Sequence, residues 1–202
     1  MVSTEFLLTS LLVVLVPGTG VIYTISKGLS QDWKASLFAA LGCTAGIFPH
    51  LIVSILGLTY ILDLSARIFQ VIRYAGALYL LYLAWGMWRD SGSLKLETSP
   101  NQLQPGQVVV KAILINLLNP KLTIFFLSFL PLFLNPEAGS ISHQMIGLSA
   151  VFMLMTLLIF SLYGILASKL QILLQSSLAF RNVQRSFAVL LSAMAVKLAV
   201  SE

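Results

Sequence analysis

Residues 112–134 read AILINLLNPKLTIFFLSFLPLFL, an apolar run broken near its middle by Asn119, Pro120 and Lys121. A helix needs about 20 apolar residues to cross the hydrocarbon core of a bilayer, and this run is long enough. Proline removes a backbone donor and clashes with the preceding turn. A lysine near the bilayer centre costs roughly 2.5–3.5 kcal/mol even on permissive insertion scales. The first apolar run carries a matching interruption at Pro17, Gly18, Thr19 and Gly20. Interrupted helices in corresponding places of two halves point to the central binding site of a transporter.

Of the 202 residues, 58% are hydrophobic and 9% are charged, and the mean hydropathy is +0.94. Soluble proteins carry about 25% charged residues. The composition therefore excludes a soluble enzyme and predicts an all-α polytopic membrane protein, with no room for an appended nucleotide-hydrolysing domain. The net charge of +5 comes from cations scattered between apolar runs. Such scatter orients a chain in a membrane and forms no nucleic-acid patch. Cys43 is the single cysteine, which rules out an intrachain disulfide; in its apolar run it reads as a small hydrophobe. The start, Met1–Glu5, bears an acid and no base, the wrong opening for a signal peptide. Residues 1–26 are expected to remain as an interrupted membrane helix.

Apolar runs at about 6–26, 35–62, 68–88, 111–134, 144–167 and 184–200 predict six transmembrane helices. A polar stretch with Pro100 and Pro105, residues 90–107, reads as a linker. The chain then divides into a three-helix repeat at 1–89 and another at 108–202, each opening with a broken helix. An odd number of spans per half inverts the second repeat relative to the first. Eight cations, Lys27, Lys34, Arg89, Lys95, Lys111, Lys169, Arg181 and Arg185, fall on the linker side, against Arg67, Arg73 and Lys197 opposite. The positive-inside rule places the linker in the cytoplasm and both termini outside, on the periplasmic face.

An unwound stretch at Pro17–Gly20 frees backbone groups, which lipid tolerates only where they line a cavity or are covered by protein. Alone it fits a kink as well as a binding site; its pairing with the second break favours binding. Lys121 can snorkel, bind a carboxylate or neutralise freed carbonyls. Asn116 and Asn119 lie three apart and can offer amides from one helix face. Along the second run, Gly42, Gly46, His50 and Ser54 recur every four residues as one stripe. Gly42 and Gly46 suit close helix packing, as does Gly76 in the third run. His50 is either an interhelical hydrogen-bonding group or a proton-linked one, because imidazole ordinarily titrates near neutrality. Tyr82, Trp85 and Trp88 fit an interfacial aromatic belt. All seven carboxylates stand at run ends or in loops, so no mid-membrane acidic relay is visible. No metal cluster, cofactor motif or catalytic triad is expected.

Five segments in order resemble the LysE/RhtB family of bacterial amino-acid exporters. They are Pro17–Gly20, where the family carries Pro-Gly-Pro-Asn; Gly42–His50; Arg73–Leu80; Asn116–Lys121 followed by Phe125–Phe126; and Phe129–Phe133. The resemblance implies a six-helix inner-membrane carrier that exports amino acids or their derivatives, using the proton-motive force. Its partners would be a small-molecule substrate and the lipid bilayer, and a homo-oligomer is compatible with it. Here Thr19–Gly20 replaces Pro-Asn, so one amide is missing and the Thr19 hydroxyl is its nearest substitute. Two other readings stay open: a metal-ion or other small-solute carrier, and a non-transporting assembly protein. Hard cations need oxygen ligands, which the spans offer only as carbonyls and amides; an assembly protein has no need of a mid-span lysine.

Overall fold

The computed structural model describes residues 2–63, 66–89 and 104–169, with isolated positions between 185 and 196. Regular structure among the described residues is all helical. Helix α1 (Thr4–Leu15) starts on Ser3, whose hydroxyl accepts from the Phe6 amide at 3.1 Å. Pro17 ends it by clashing with the turn before. The chain resumes as α2 (Thr19–Ser30), bent by 55° from α1. Asp32 caps α3 (Trp33–Ala45), accepting from the Ala35 amide at 2.7 Å. A turn at Gly46 and Ile47 leads into α4 (Phe48–Asp63); Pro49 cannot serve the Ala45 carbonyl, so the helix is re-formed there. Helix α5 spans Ala66–Arg89.

Helix α6 (Pro105–Leu117) begins inside the stretch expected as linker. Proline is well placed in a first turn, where its missing donor costs nothing, and Gln107 Oε1 accepts from the Gln104 amide at 3.1 Å. After a break at Leu118 and Asn119, α7 (Pro120–Ile124) sets off along an axis bent by 50°. The chain widens into a π turn at Phe125–Phe129 and tightens into a 3-10 turn at Leu130–Phe133. The wide turn precedes Pro131, whose ring would clash with a regular helical carbonyl at Leu127. Helix α8 runs from Ile141 to Lys169.

Among the described residues, Trp33–Gly57 and Ile141–Lys169 are each long and apolar enough to cross a membrane, and the count rises to four if each bent pair is one span. Helix α5, the expected third span, has 24 residues but includes Arg67 and Arg73. Of the expected sixth span only isolated positions are described; Lys197 and linker residues 90–103 lie outside the described residues.

Helix α3 packs against α2, α6 and α8, and α1 against α8. Small residues bring these axes close. A Cβ on Gly28 would clash with the Gly164 carbonyl, and one on Gly164 would clash with Ser36. The second half of the broken α6–α7 span is pinned by rings: Phe125 stacks on Phe152 at 4.4 Å, and Phe133 meets Phe6 edge-on at 5.3 Å. Leu154, Leu158 and Leu162 form an outward stripe on α8.

Candidate functional site

A broken helix leaves carbonyls that an unbroken one would satisfy four residues on. At the first break, residues 17, 19 and 20 would have served Val13, Leu15 and Val16. Side chains take over. The Lys121 ammonium donates to the carbonyls of Val13 at 3.0 Å and Val16 at 2.9 Å. The Tyr163 hydroxyl donates to Leu15 at 3.1 Å. Lys121 is 8% exposed, and each hydrogen bond to its charge contributes about 1.5–3 kcal/mol. Gly18 makes the approach possible, since a Cβ there would sit 3.1 Å from Nζ. It also leaves α2 without a side-chain cap, so the positive end of that helix dipole faces the break.

The second break is braced differently. Asn119 caps α7, its Oδ1 accepting from the Lys121 amide at 3.1 Å. Pro120 cannot serve the Asn116 carbonyl; His50 Nε2 does, at 2.9 Å, beside the Asn119 amide at 3.0 Å. A carbonyl only accepts, so Nε2 carries a hydrogen; in the neutral ring Nδ1 then accepts from the Thr123 hydroxyl at 3.2 Å. The π turn moves the Leu130 amide onto Phe125, and Ser54 donates to the stranded Phe126 carbonyl at 2.7 Å.

The stripe on the second run follows this broken span along its length. A Cβ on Gly42 would lie 2.5 Å from the Val109 carbonyl, and one on Gly46 would lie 2.9 Å from Asn116 Cβ. His50 and Ser54 continue the line to Phe126. The two breaks also touch each other: a Cβ on Gly20 would lie 2.5 Å from Asn116 Oδ1. Asn116 Nδ2 donates to the Cys43 carbonyl at 2.7 Å, and Asn119 Nδ2 donates to Asn116 Oδ1 at 3.3 Å.

Between the breaks is a cavity lined by Val13, Gly18, Gly20, Asn116, Asn119 and Lys121, with Phe152, Thr156 and Phe160 from α8. Its space for water centres is about 10 Å³, room for a single water and far too little for an amino acid. Gly18, Gly20, Asn116, Asn119 and Lys121 thus converge, whereas Pro17, Thr19 and Pro120 are outside the lining. Thr19 is exposed. His50 stands behind the second break, and the surroundings of Gly76 lie outside the described residues. Sequence reasoning missed Phe160, Thr123 and Tyr163. Tyr163, a polar aromatic inside an apolar run, was a usable signal; the carbonyls of Val13 and Val16 have none.

Broken apolar helices that meet at a polar, cation-bearing cavity define a membrane transport protein. The chain belongs to the LysE type translocator family, whose model matches residues 11–202. It is 36% identical over 131 residues to an uncharacterised membrane protein of Vibrio cholerae, covering 65% of this chain and 64% of that one. It is 26% identical over 185 residues to a homoserine/homoserine lactone efflux protein of Salmonella typhimurium, covering 92% and 89%. A leucine efflux protein of Enterobacter sp. is 28% identical over 155 residues, covering 74% of each. No solved structure matches the chain.

Proposed function

We propose that this protein is a secondary exporter of amino acids or their derivatives across the bacterial inner membrane, working by alternating access and driven by the proton-motive force. The observation that carries the reading is the cavity where both breaks meet under the buried Lys121. The solutes named for the efflux relatives, homoserine, its lactone and leucine, share an α-ammonium group. We transfer that feature to the substrate of this chain.

In this mechanism the two halves are inverted three-helix repeats that rock about the paired breaks. Pro17, Thr19 and Pro120 act in the hinges, while Gly18 and Gly20 let backbone approach the substrate. The uncapped end of α2 and the Lys121 ammonium receive the substrate carboxylate where one is present. Asn116 and Asn119 offer amides as the breaks part. His50 couples the second break to protonation: a proton on Nδ1 would turn the Thr123 hydroxyl from donor to acceptor. The small cavity corresponds to an occluded state. Lys27 and Lys111 lie 5.6 and 5.8 Å from the centre of the Tyr23 ring. That gathering of cations at one end supports a cytoplasmic linker and periplasmic termini.

The test is efflux from cells preloaded with a mixture of dipeptides, with every amino acid outside quantified. Faster release of one or a few amino acids in cells carrying the protein is expected. Equal release of all of them, with the protein present in the membrane, overturns the proposal.

A further inference from the structure

The Val13 and Val16 carbonyls form a pair of acceptors, both within 3.0 Å of one ammonium, at the negative end of α1. We infer that this pair is an ammonium subsite, and that Lys121 fills it as a tethered stand-in which the ammonium of the substrate displaces. The inference rests on the exporter reading and names the group by which a substrate is selected.

Three features of the geometry lead there. Lys121 is anchored by its backbone to the second break, through the Asn119 cap, yet its charge is spent on the first. Its four-carbon stem is flexible, so the ammonium can leave the carbonyls without moving α7. Beside it, Gly18 adds no side chain, and the cavity continues from Val13 past Lys121 to Phe160 and Thr156. A substrate ammonium entering along that wall meets the same two carbonyls, and its side chain falls against the rings of Phe152 and Phe160.

The exchange keeps the backbone paired. Removing a cation from two buried carbonyls would leave each unsatisfied. Replacing one ammonium by another avoids that cost. The displaced Lys121 remains within the cavity as a positive charge, near the amides that open α2. A zwitterion is then met at both ends, its ammonium by the end of α1 and its carboxylate by Lys121 and the start of α2. Amino-acid amides retain the first contact and lose the second. N-acylated amino acids lose the first.

The experiment measures thermal unfolding of the purified full chain in detergent with leucine, leucinamide or N-acetylleucine, and of Lys121→Ala with n-propylammonium or propionate. Leucine and leucinamide should stabilise the wild type, with N-acetylleucine at least about tenfold weaker, the factor set by one lost charge-assisted bond. The Lys121→Ala variant should be stabilised by propylammonium at concentrations about tenfold below those needed for the wild type, and not by propionate. N-acetylleucine as effective as leucinamide overturns the inference, as does a variant blind to propylammonium. The ligand series on the wild type decides the matter by itself if the variant does not accumulate. Efflux of amino acids without propylammonium rescue removes the subsite and leaves the exporter standing. Rescue without efflux of any amino acid keeps the cation subsite and removes the exporter.

Discussion

The two broken helices share an outline and differ in what holds them. Before their breaks, α1 has 12 residues and α6 has 13, and the bends are 55° and 50°. The second break carries its own cap in Asn119, and short side chains on α4 serve its freed carbonyls. The first break has glycine at the cap position. Its carbonyls are served by Lys121, over 100 positions away in sequence, and by Tyr163, farther still. A break with its own cap and short braces stays formed when neighbours shift. One tied by a single ammonium on a flexible stem opens when that ammonium leaves. In the proposed mechanism the first break is thus the moving part, and the second is the frame from which it is held.

Substitutions test that contrast. The largest effect is expected for Lys121→Met, which leaves two buried carbonyls unpaired at about 1–3 kcal/mol each. Thermal unfolding in detergent should show the loss, and export should stop. A variant that melts like the wild type would mean that the first break is closed by something else. Next comes Gly20→Ala. Its Cβ would press within 2.5 Å of Asn116 Oδ1 and 3.0 Å of Phe160, an overpacking cost of about 1–3 kcal/mol. It wedges the breaks apart, so melting temperature and export rate should fall together.

Asn119→Ala removes the cap of α7 at about 1 kcal/mol. Faster deuterium uptake should appear at residues 121–124 and leave α1 unchanged; uptake spreading to residues 13–20 would show that the frame is not independent. The smallest effect is expected for Tyr163→Phe, which loses one hydrogen bond to Leu15, about 0.5–1.5 kcal/mol. Its uptake change should be confined to residues 15–20.

Both breaks were legible because proline, glycine and a cation are costly in lipid and stand out against Leu, Ile and Phe. The stripe of Gly42, Gly46, His50 and Ser54 was legible from its period, and the structure lays all four along the broken α6–α7 span. The partners of Lys121 were not legible. Neutralising freed carbonyls was one of its readings, but Val13 and Val16 act through backbone that any residue carries. The π turn was hidden as well, since it follows from the ring and missing N–H of Pro131 and from Ser54, distant in sequence, which serves the stranded Phe126 carbonyl. Residue composition obscured the start of α6: Pro105 and Gln107 look like linker residues, yet both are good first-turn residues. The Thr19 hydroxyl, the nearest substitute for the amide of the family motif, is placed outside the cavity by the bend that starts α2.

The most direct test of the account is exchange, in proteoliposomes, of the amino acid identified by efflux, comparing wild type with Lys121→Met after both are confirmed folded and inserted. Exchange is expected from the wild type, with a loss of at least about two orders of magnitude in the variant, which lacks the cation that recloses the first break on two carbonyls and receives the substrate carboxylate. Exchange by Lys121→Met at the wild-type rate would contradict it.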